Sequence, residues 1–238
     1  MGNSRIKLAA MLAAAVAALG AQAALADTIA IIGTGNVAGA LGPEFAAQGH
    51  KIVYGSRDPS RQEVKDLVAK TMHGASAKSD REAVIGADMV VLAVPGRVAE
   101  DVAKSLGDLS GKVILDPTNR LMRNADGYAD YDLPTGSNAE LVQAAQPGAH
   151  VVKAFNTLNV RQMVDPETSG GPITIAIAGD DAAAKAKVTT LIKGMGLEPM
   201  DFGPLRFARV LEEMLVVWAN ARSHGTPFNY YLRPQPQN

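Results

Sequence analysis

Gly33 and Gly35 close an apolar run and stand directly before Asn36-Val37-Ala38. Glycines at that spacing let a main chain come close to a phosphate. A helix opening at Asn36 would aim its free N–H groups, and the positive end of its dipole, at the anion. Ala38 occupies the place of a third glycine, a change small enough to keep helix and strand close. About twenty residues further on comes Gly55-Ser56-Arg57. A carboxylate there would accept the ribose 2′-hydroxyl of NAD and repel a phosphate. Gly55 and Ser56 instead leave room, Arg57 offers a fork of donors to a 2′-phosphate, and Arg61 adds a second cation. These residue types point to NADP(H) over NAD(H). A third group, Lys153, Asn156 and Thr157, follows a later apolar run. Asn156 and Thr157 should face a crevice and hydrogen-bond the carboxamide of a nicotinamide or a second substrate. Lys153 is either a cation in the site or a strand-end ion pair.

Such groups need a frame to hold them. Ile29 to Ile32 reads as a buried strand, and Val37, Leu41 and Phe45 recur with helical spacing after it. His50 to Tyr54 is the second strand. Ser60 and Glu63 make a capping box for a helix through Met72, and His73 to Ala77 is a short third strand. Ser79 and Glu82 make another capping box. Asp88 to Val94 is a buried strand stopped by Pro95-Gly96. In a doubly wound sheet it lies beside the first strand, so that Ala93, Val94 and Pro95 flank a nucleotide at the switch point. A helix over Val98 to Leu106 and a strand over Gly111 to Leu115 follow.

Asp116 to Gly136 reads as a long substrate loop, with Arg120 and Arg123 as anion contacts. Ser137 and Glu140 cap a helix over Asn138 to Ala145. The remaining pattern is strand Ala149 to Lys153, strand Pro172 to Ala178, helix Ala182 to Gly194, strand Leu197 to Met200, and a long helix from Gly203-Pro204 through Trp218. The stripe Val210, Leu211, Met214, Leu215 and Trp218 on that helix is core packing or a homodimer face. The fold class is therefore α/β, a Rossmann-type doubly wound, mostly parallel sheet with a small C-terminal α/β extension. The nucleotide domain spans 27–153, an extension completing the acceptor site 154–221, and a tail 222–238.

Composition excludes several chemistries. The chain has no cysteine, so disulfides, thiolate metal sites and thiol catalysis fall away. Its four histidines, at 50, 73, 150 and 224, are scattered without metal-ligand spacing. No basic block suggests nucleic acid. Residues 1–26 read as a secretory signal peptide: Arg5 and Lys7, an alanine-rich apolar run from Leu8 to Leu19, and Ala24-Leu25-Ala26 as cleavage site. A retained membrane anchor is the alternative. The 21 basic and 24 acidic residues beyond Ala26 leave a formal charge of −3 on the mature chain. The expected location is periplasmic or secreted. An exported chain meets little NADP(H), so the nucleotide is carried out, the cleft serves another ligand, or export is inefficient.

The segments IIGTGNVAGAL, YGSRDP, VVLAVP, DPTN, SNAELV, VVKAFNT, AGDD and DFGPL fall in an order and spacing that resembles the NADPH-dependent F420 reductases. The resemblance covers nearly all of residues 28–218. It implies that Thr34, Asn36 and Val37 line the pyrophosphate turn, and that Ser56, Arg57 and Arg61 hold the 2′-phosphate. It implies further that Val94, Pro95 and Val98 flank the cofactor, and that Ala154 to Val160 border the nicotinamide and acceptor. Enzymes of this kind pass hydride between NADP(H) and a deazaflavin (coenzyme F420) or flavin, a small-molecule acceptor, and need positioning more than acid–base groups. The chain departs from the pattern in its export signal, in Ala38, and in the LNVRQM that follows VVKAFNT. Two other readings remain: a small ketone or imine reductase with Lys153 or Tyr131 as proton donor, and an exported, non-catalytic nucleotide-binding module.

Overall fold

Ile29, Ala30, Ile31 and Ile32 have no exposed surface, and a strand apolar on both faces must be covered on both. The computed structural model describes residues 26–236, so the signal-peptide expectation lies on residues outside those described. The strands are β1 (Thr28–Ile32), β2 (Lys51–Gly55), β3 (Ser76–Lys78), β4 (Met89–Leu92), β5 (Val113–Asp116), β6 (Leu121–Arg123), β7 (Ala129–Tyr131), β8 (His150–Lys153), β9 (Thr174–Gly179) and β10 (Glu198–Asp201). Eight of them form one sheet in the order β10-β9-β8-β5-β4-β1-β2-β3. Every pair from β8 to β3 is parallel. β9 runs antiparallel to β8, and β10 runs parallel to β9. The strand order reverses between β1 and β4, which makes the crevice at their carboxyl ends the switch point of the Rossmann-type sheet.

The helices are α1 (Asn36–Ala47), α2 (Gln62–Thr71), α3 (Asp80–Ala83), α4 (Gly96–Ser105), α5 (Asn138–Ala145), α6 (Val160–Val164), α7 (Ala182–Gly194) and α8 (Ala208–Ser223). Alternation along β1 assigns them to two layers. Ile29 and Ile31 pack in one core with Leu41 and Phe45 of α1 and Val188 and Ile192 of α7. Ala30 and Ile32 pack in the other with Ala99 and Ala103 of α4 and Val142 of α5. On α8, Leu211 is buried whereas Val210 and Val217 are exposed. No helix among the described residues is long and apolar enough to cross a membrane.

Four local expectations are corrected. The third strand begins at Ser76, not His73, because Met72 and His73 take left-handed backbone (φ 58° and 50°) in the turn before it. Ser60 does not cap α2; its N–H and hydroxyl both bind Asp58 Oδ1, at 3.0 and 2.6 Å. The stretch from Asp116 to Gly136 is no plain loop. It contains the antiparallel ribbon β6–β7, whose turn closes by Gly127 N–H to Asn124 O at 2.9 Å. The ribbon docks on α8 through Asn220, whose amide accepts from Ala129 N–H at 2.7 Å and donates to Ala129 O at 3.0 Å. Arg123 Nη1 donates to Gly127 O at 2.8 Å, so its guanidinium serves that turn rather than an anion.

Among the glycines of α1, the tightest approach to the sheet falls at Gly42. A Cβ on Gly42 would collide with the Tyr54 hydroxyl and lie 2.7 Å from its Cζ. Tyr54 has no room to yield: it is fully buried and bonded to Thr71 Oγ1 at 2.6 Å. Burial pushes the Tyr54 phenol up to about 12, against the smaller opposing effect of that hydrogen bond. Ala38, by contrast, is accommodated without exposure. Gly42→Ala should therefore lose about 1–3 kcal/mol in denaturant unfolding through overpacking. Gly39→Ala, whose Cβ would meet only Leu67 at 3.9 Å, should be neutral or gain up to about 1 kcal/mol. Equal stability of the two variants would contradict this packing.

Candidate functional site

The turn after β1 is held by main chain. Gly33 takes φ 108°, its N–H bonds Gly55 O at 3.0 Å, and a Cβ on it would collide with the Ala93 carbonyl. Gly35 differs. Its φ is −86°, and nothing of the protein lies within 4 Å of where its Cβ would be. Neither backbone conformation nor packing demands glycine at that place; a side chain there would fill the cleft. α1 then opens at Asn36 with no side-chain cap and no acidic residue in its first turn. Uncapped N–H groups, a dipole and a cleared approach together suit a pyrophosphate.

A cleft of about 800 Å³ runs from this turn to the end of β2. Gly33, Gly35, Ser56, Arg57, Arg61, Ala93, Val94 and Pro95, expected at a nucleotide site from their sequence context, all line it, as do Thr34 and Val98, expected there from the resemblance, although these residues lie far apart along the chain. The buried Ser56 accepts from Asp58 N–H at 3.2 Å, which leaves its hydroxyl proton free to donate. Asp58 is held by Ser60; hydrogen bonds from that side chain and backbone hold its carboxyl below the usual range. Arg57 is exposed and forms no ion pair among the described residues. Arg61 makes only a long, exposed contact to Glu63 at 3.8 Å. Two guanidinium groups and a hydroxyl thus stand unclaimed at one end of the cleft, a donor set that fits a ribose 2′-phosphate.

A second pocket of about 290 Å³ adjoins at Gly35, Ala93, Val94 and Pro95. Asn36, Val37, Leu92, Pro117 and Thr118 complete it, so its walls are mainly apolar and hold no acid or base. Pro117 and Thr118 are fixed from beneath by Lys153. That side chain is wholly buried, with Nζ 2.8 Å from Asp116 Oδ2, 2.7 Å from Glu212 Oε1 and 2.7 Å from Thr118 O. Glu212 also accepts from Tyr131 hydroxyl at 2.6 Å and from the N–H groups of Asn138 and Ala139 at 3.1 and 3.3 Å. The start of α5 thereby offsets the second carboxylate. Burial alone would draw the Lys153 ammonium down, but the charges and hydrogen bonds of Asp116 and Glu212 outweigh it and hold it above the ordinary lysine value. Burial, with the charge and hydrogen bond of Glu212, pushes the Tyr131 phenol far up.

Lys153 is therefore an internal ion-pair centre and lines neither pocket. Asn156 is also buried; its amide donates to Leu211 O at 2.7 Å and Asn119 Oδ1 at 3.2 Å, while its Oδ1 has no partner. Thr157 is buried, Ala154 is fully enclosed in the core, and Val160 opens α6 and packs against that core. The chain bends into this segment at Phe155, which takes φ 62° and packs edge-on to Phe45. Arg120 is half-buried with no partner for its Nε. Asp58, Asp80 and Val102 in the large cleft and Leu92 in the small one carry no local mark in the sequence, and Pro117 and Thr118 are marked there only as part of the Asp116–Gly136 stretch. Asp80 follows β3 at its carboxyl end, a position that marks it as crevice-facing once the strand order is known. Among the described residues no cluster of three or more His, Asp or Glu is placed to hold a metal.

Residues 28–120 match the family described as NADP oxidoreductase coenzyme F420-dependent. A crystal structure from Arthrobacter sp. FB24, labelled an F420-dependent NADP reductase, is 30% identical with a TM-score of 0.79 and covers 87% of this chain and 100% of its own. The F420-dependent NADP reductase of Methanothermobacter thermautotrophicus is 25% identical over 216 residues, 86% of this chain and 93% of that protein. Metalloreductase STEAP3 of Rattus norvegicus is 28% identical over 187 residues, 79% of this chain; the match spans only 36% of that longer protein.

Removing the Lys153 cation strands two buried carboxylates. Lys153→Met should lose about 3–5 kcal/mol of unfolding free energy, and Glu212→Gln in the same chain should restore part of it. With its raised value, the ammonium contributes fully at neutral pH, and the contribution is lost only as alkali climbs through that value. A Lys153→Met protein as stable as the parent, yet inactive, would instead mark Lys153 as a proton donor.

Proposed function

The chain belongs to the coenzyme F420-dependent NADP oxidoreductase family, and from that footing we propose that it passes hydride between NADP(H) and a deazaflavin or flavin acceptor. The observation that carries this is the pairing of two unlike ends in one crevice. Ser56, Arg57 and Arg61 stand uncommitted beside the large cleft, while the adjoining pocket offers apolar walls and no titratable side chain. Bound NADPH supplies a hydride at the nicotinamide ring. The protein's part is to hold and to screen. The Gly33–Asn36 turn receives the pyrophosphate and the arginines receive the 2′-phosphate. Val37, Leu92, Val94, Pro95 and Pro117 exclude water where the ring and the acceptor would meet. A deazaflavin or flavin takes hydride directly, which suits a pocket without an acid.

A ketone or imine reductase would need a proton donor there. The two candidates, Lys153 and Tyr131, have their donor atoms committed to Asp116, Thr118 and Glu212. The deazaflavin or flavin reading is therefore the better supported. Export by residues 1–26, with a mature chain beginning at Asp27, belongs to the same proposal.

Calorimetric titration of the mature chain should show clear preference for NADPH over NADH. Arg57→Glu should weaken NADPH by about 1.5–3 kcal/mol, roughly ten- to a hundredfold, with little change for NADH. NADPH oxidation should then depend on added F420, FMN or FAD and not on simple ketones. Equal affinity for the two nucleotides would overturn the 2′-phosphate assignment, and turnover with ketones alone would overturn the acceptor.

A further inference from the structure

Two carboxylates line the large cleft, and the protein uses only one. Asp58 is occupied by Ser60. Asp80 is acted on only by burial, which raises its carboxyl, and by the charge of Arg57, which works the other way. Among the described residues nothing donates a hydrogen bond to it. It stands at the first position of α3, half-buried, directly over Gly55: a Cβ on Gly55 would lie 2.9 Å from Asp80 Oδ1 and 2.7 Å from Ile32 Cδ1. The missing side chain at Gly55 is thus what gives the carboxylate its place in the cleft. Val98 and Val102, one helical turn apart on α4, supply an apolar strip in the same cleft.

With the phosphates assigned to the glycine turn and to the arginines, the part of the nucleotide left to fill this cleft is the purine. Adenine presents a flat apolar face and one exocyclic amine, which donates. An ionised carboxylate only accepts, and an aliphatic strip packs against a ring face. We propose that Asp80 reads the adenine of NADP(H), its carboxylate accepting a hydrogen bond from the exocyclic amine while Val98 and Val102 cover the ring. The inference rests on the nucleotide reading of the cleft.

The test compares NADPH with its hypoxanthine analogue, in which a carbonyl oxygen replaces the amine. Calorimetry on the parent chain needs no variant. The analogue should bind at least about tenfold more weakly, because its oxygen would face the carboxylate. In Asp80→Asn the side-chain amide can donate to that oxygen, so NADPH should weaken, the analogue should tighten, and the gap should close or invert. Equal binding of the two nucleotides by the parent chain overturns the assignment. So does an equal loss of both in Asp80→Asn, which would place Asp80 at the ribose or behind Arg57. Failure of the parent chain to bind either nucleotide would overturn the nucleotide reading itself.

Discussion

The carboxyl ends of β1, β4 and β5 meet with backbone against backbone. A Cβ at Gly33 would collide with the Ala93 carbonyl, and one at Gly96 with the Asn119 carbonyl. This close approach draws three turns into one crevice. It faces the open end of α1 toward the cleft and sets Pro95 between the large pocket and the small one. Without it the arginines after β2 and the apolar niche beside Pro117 would belong to separate surfaces.

The two halves of the crevice treat charge in opposite ways. At the end that holds Arg57 and Arg61 the cations are exposed and uncommitted, so a ligand meets them at small cost in desolvation or rearrangement. At the far end the cation is sealed inside. Lys153 is satisfied by Asp116, Glu212 and Thr118, and its role is to fix the chain that forms the pocket wall. A buried charge with every bond satisfied positions its neighbours; an exposed one with bonds to spare binds. That contrast separates the residues expected to touch the nucleotide from Lys153 and Tyr131, which share similar chemistry and a different task.

Much of the fold around the large cleft is legible in the sequence because its signals are local. An apolar β-branched run, a glycine turn and a helical repeat identify β1, the turn and α1 within a short stretch of chain. Ser56 and Arg57 follow from their place at the end of β2. The region around Lys153 and the small pocket is less legible because its contacts are remote. Lys153 meets Asp116 across 37 positions, and its other carboxylate partner, Glu212, in turn meets Asn138 across 74 and Tyr131 across 81, so nothing near Lys153 in the sequence announces this cluster. Ser60 resembles a cap in sequence, but Asp58, two residues earlier, competes for the same hydroxyl and takes it. The β6–β7 ribbon leaves little trace because its strands are three residues each, although the Asp126-Gly127 pair is a usable turn signal. Gly42 carries no local mark because its constraint is the Tyr54 hydroxyl, which only the folded sheet brings near.

The central claim is tested most directly by a crystal structure of the protein with NADP⁺. The ribose 2′-phosphate should lie within hydrogen-bonding distance of the Ser56 hydroxyl and of both the Arg57 and Arg61 guanidinium groups, with the pyrophosphate over Gly35. A phosphate in open solvent, away from both arginines, would contradict it.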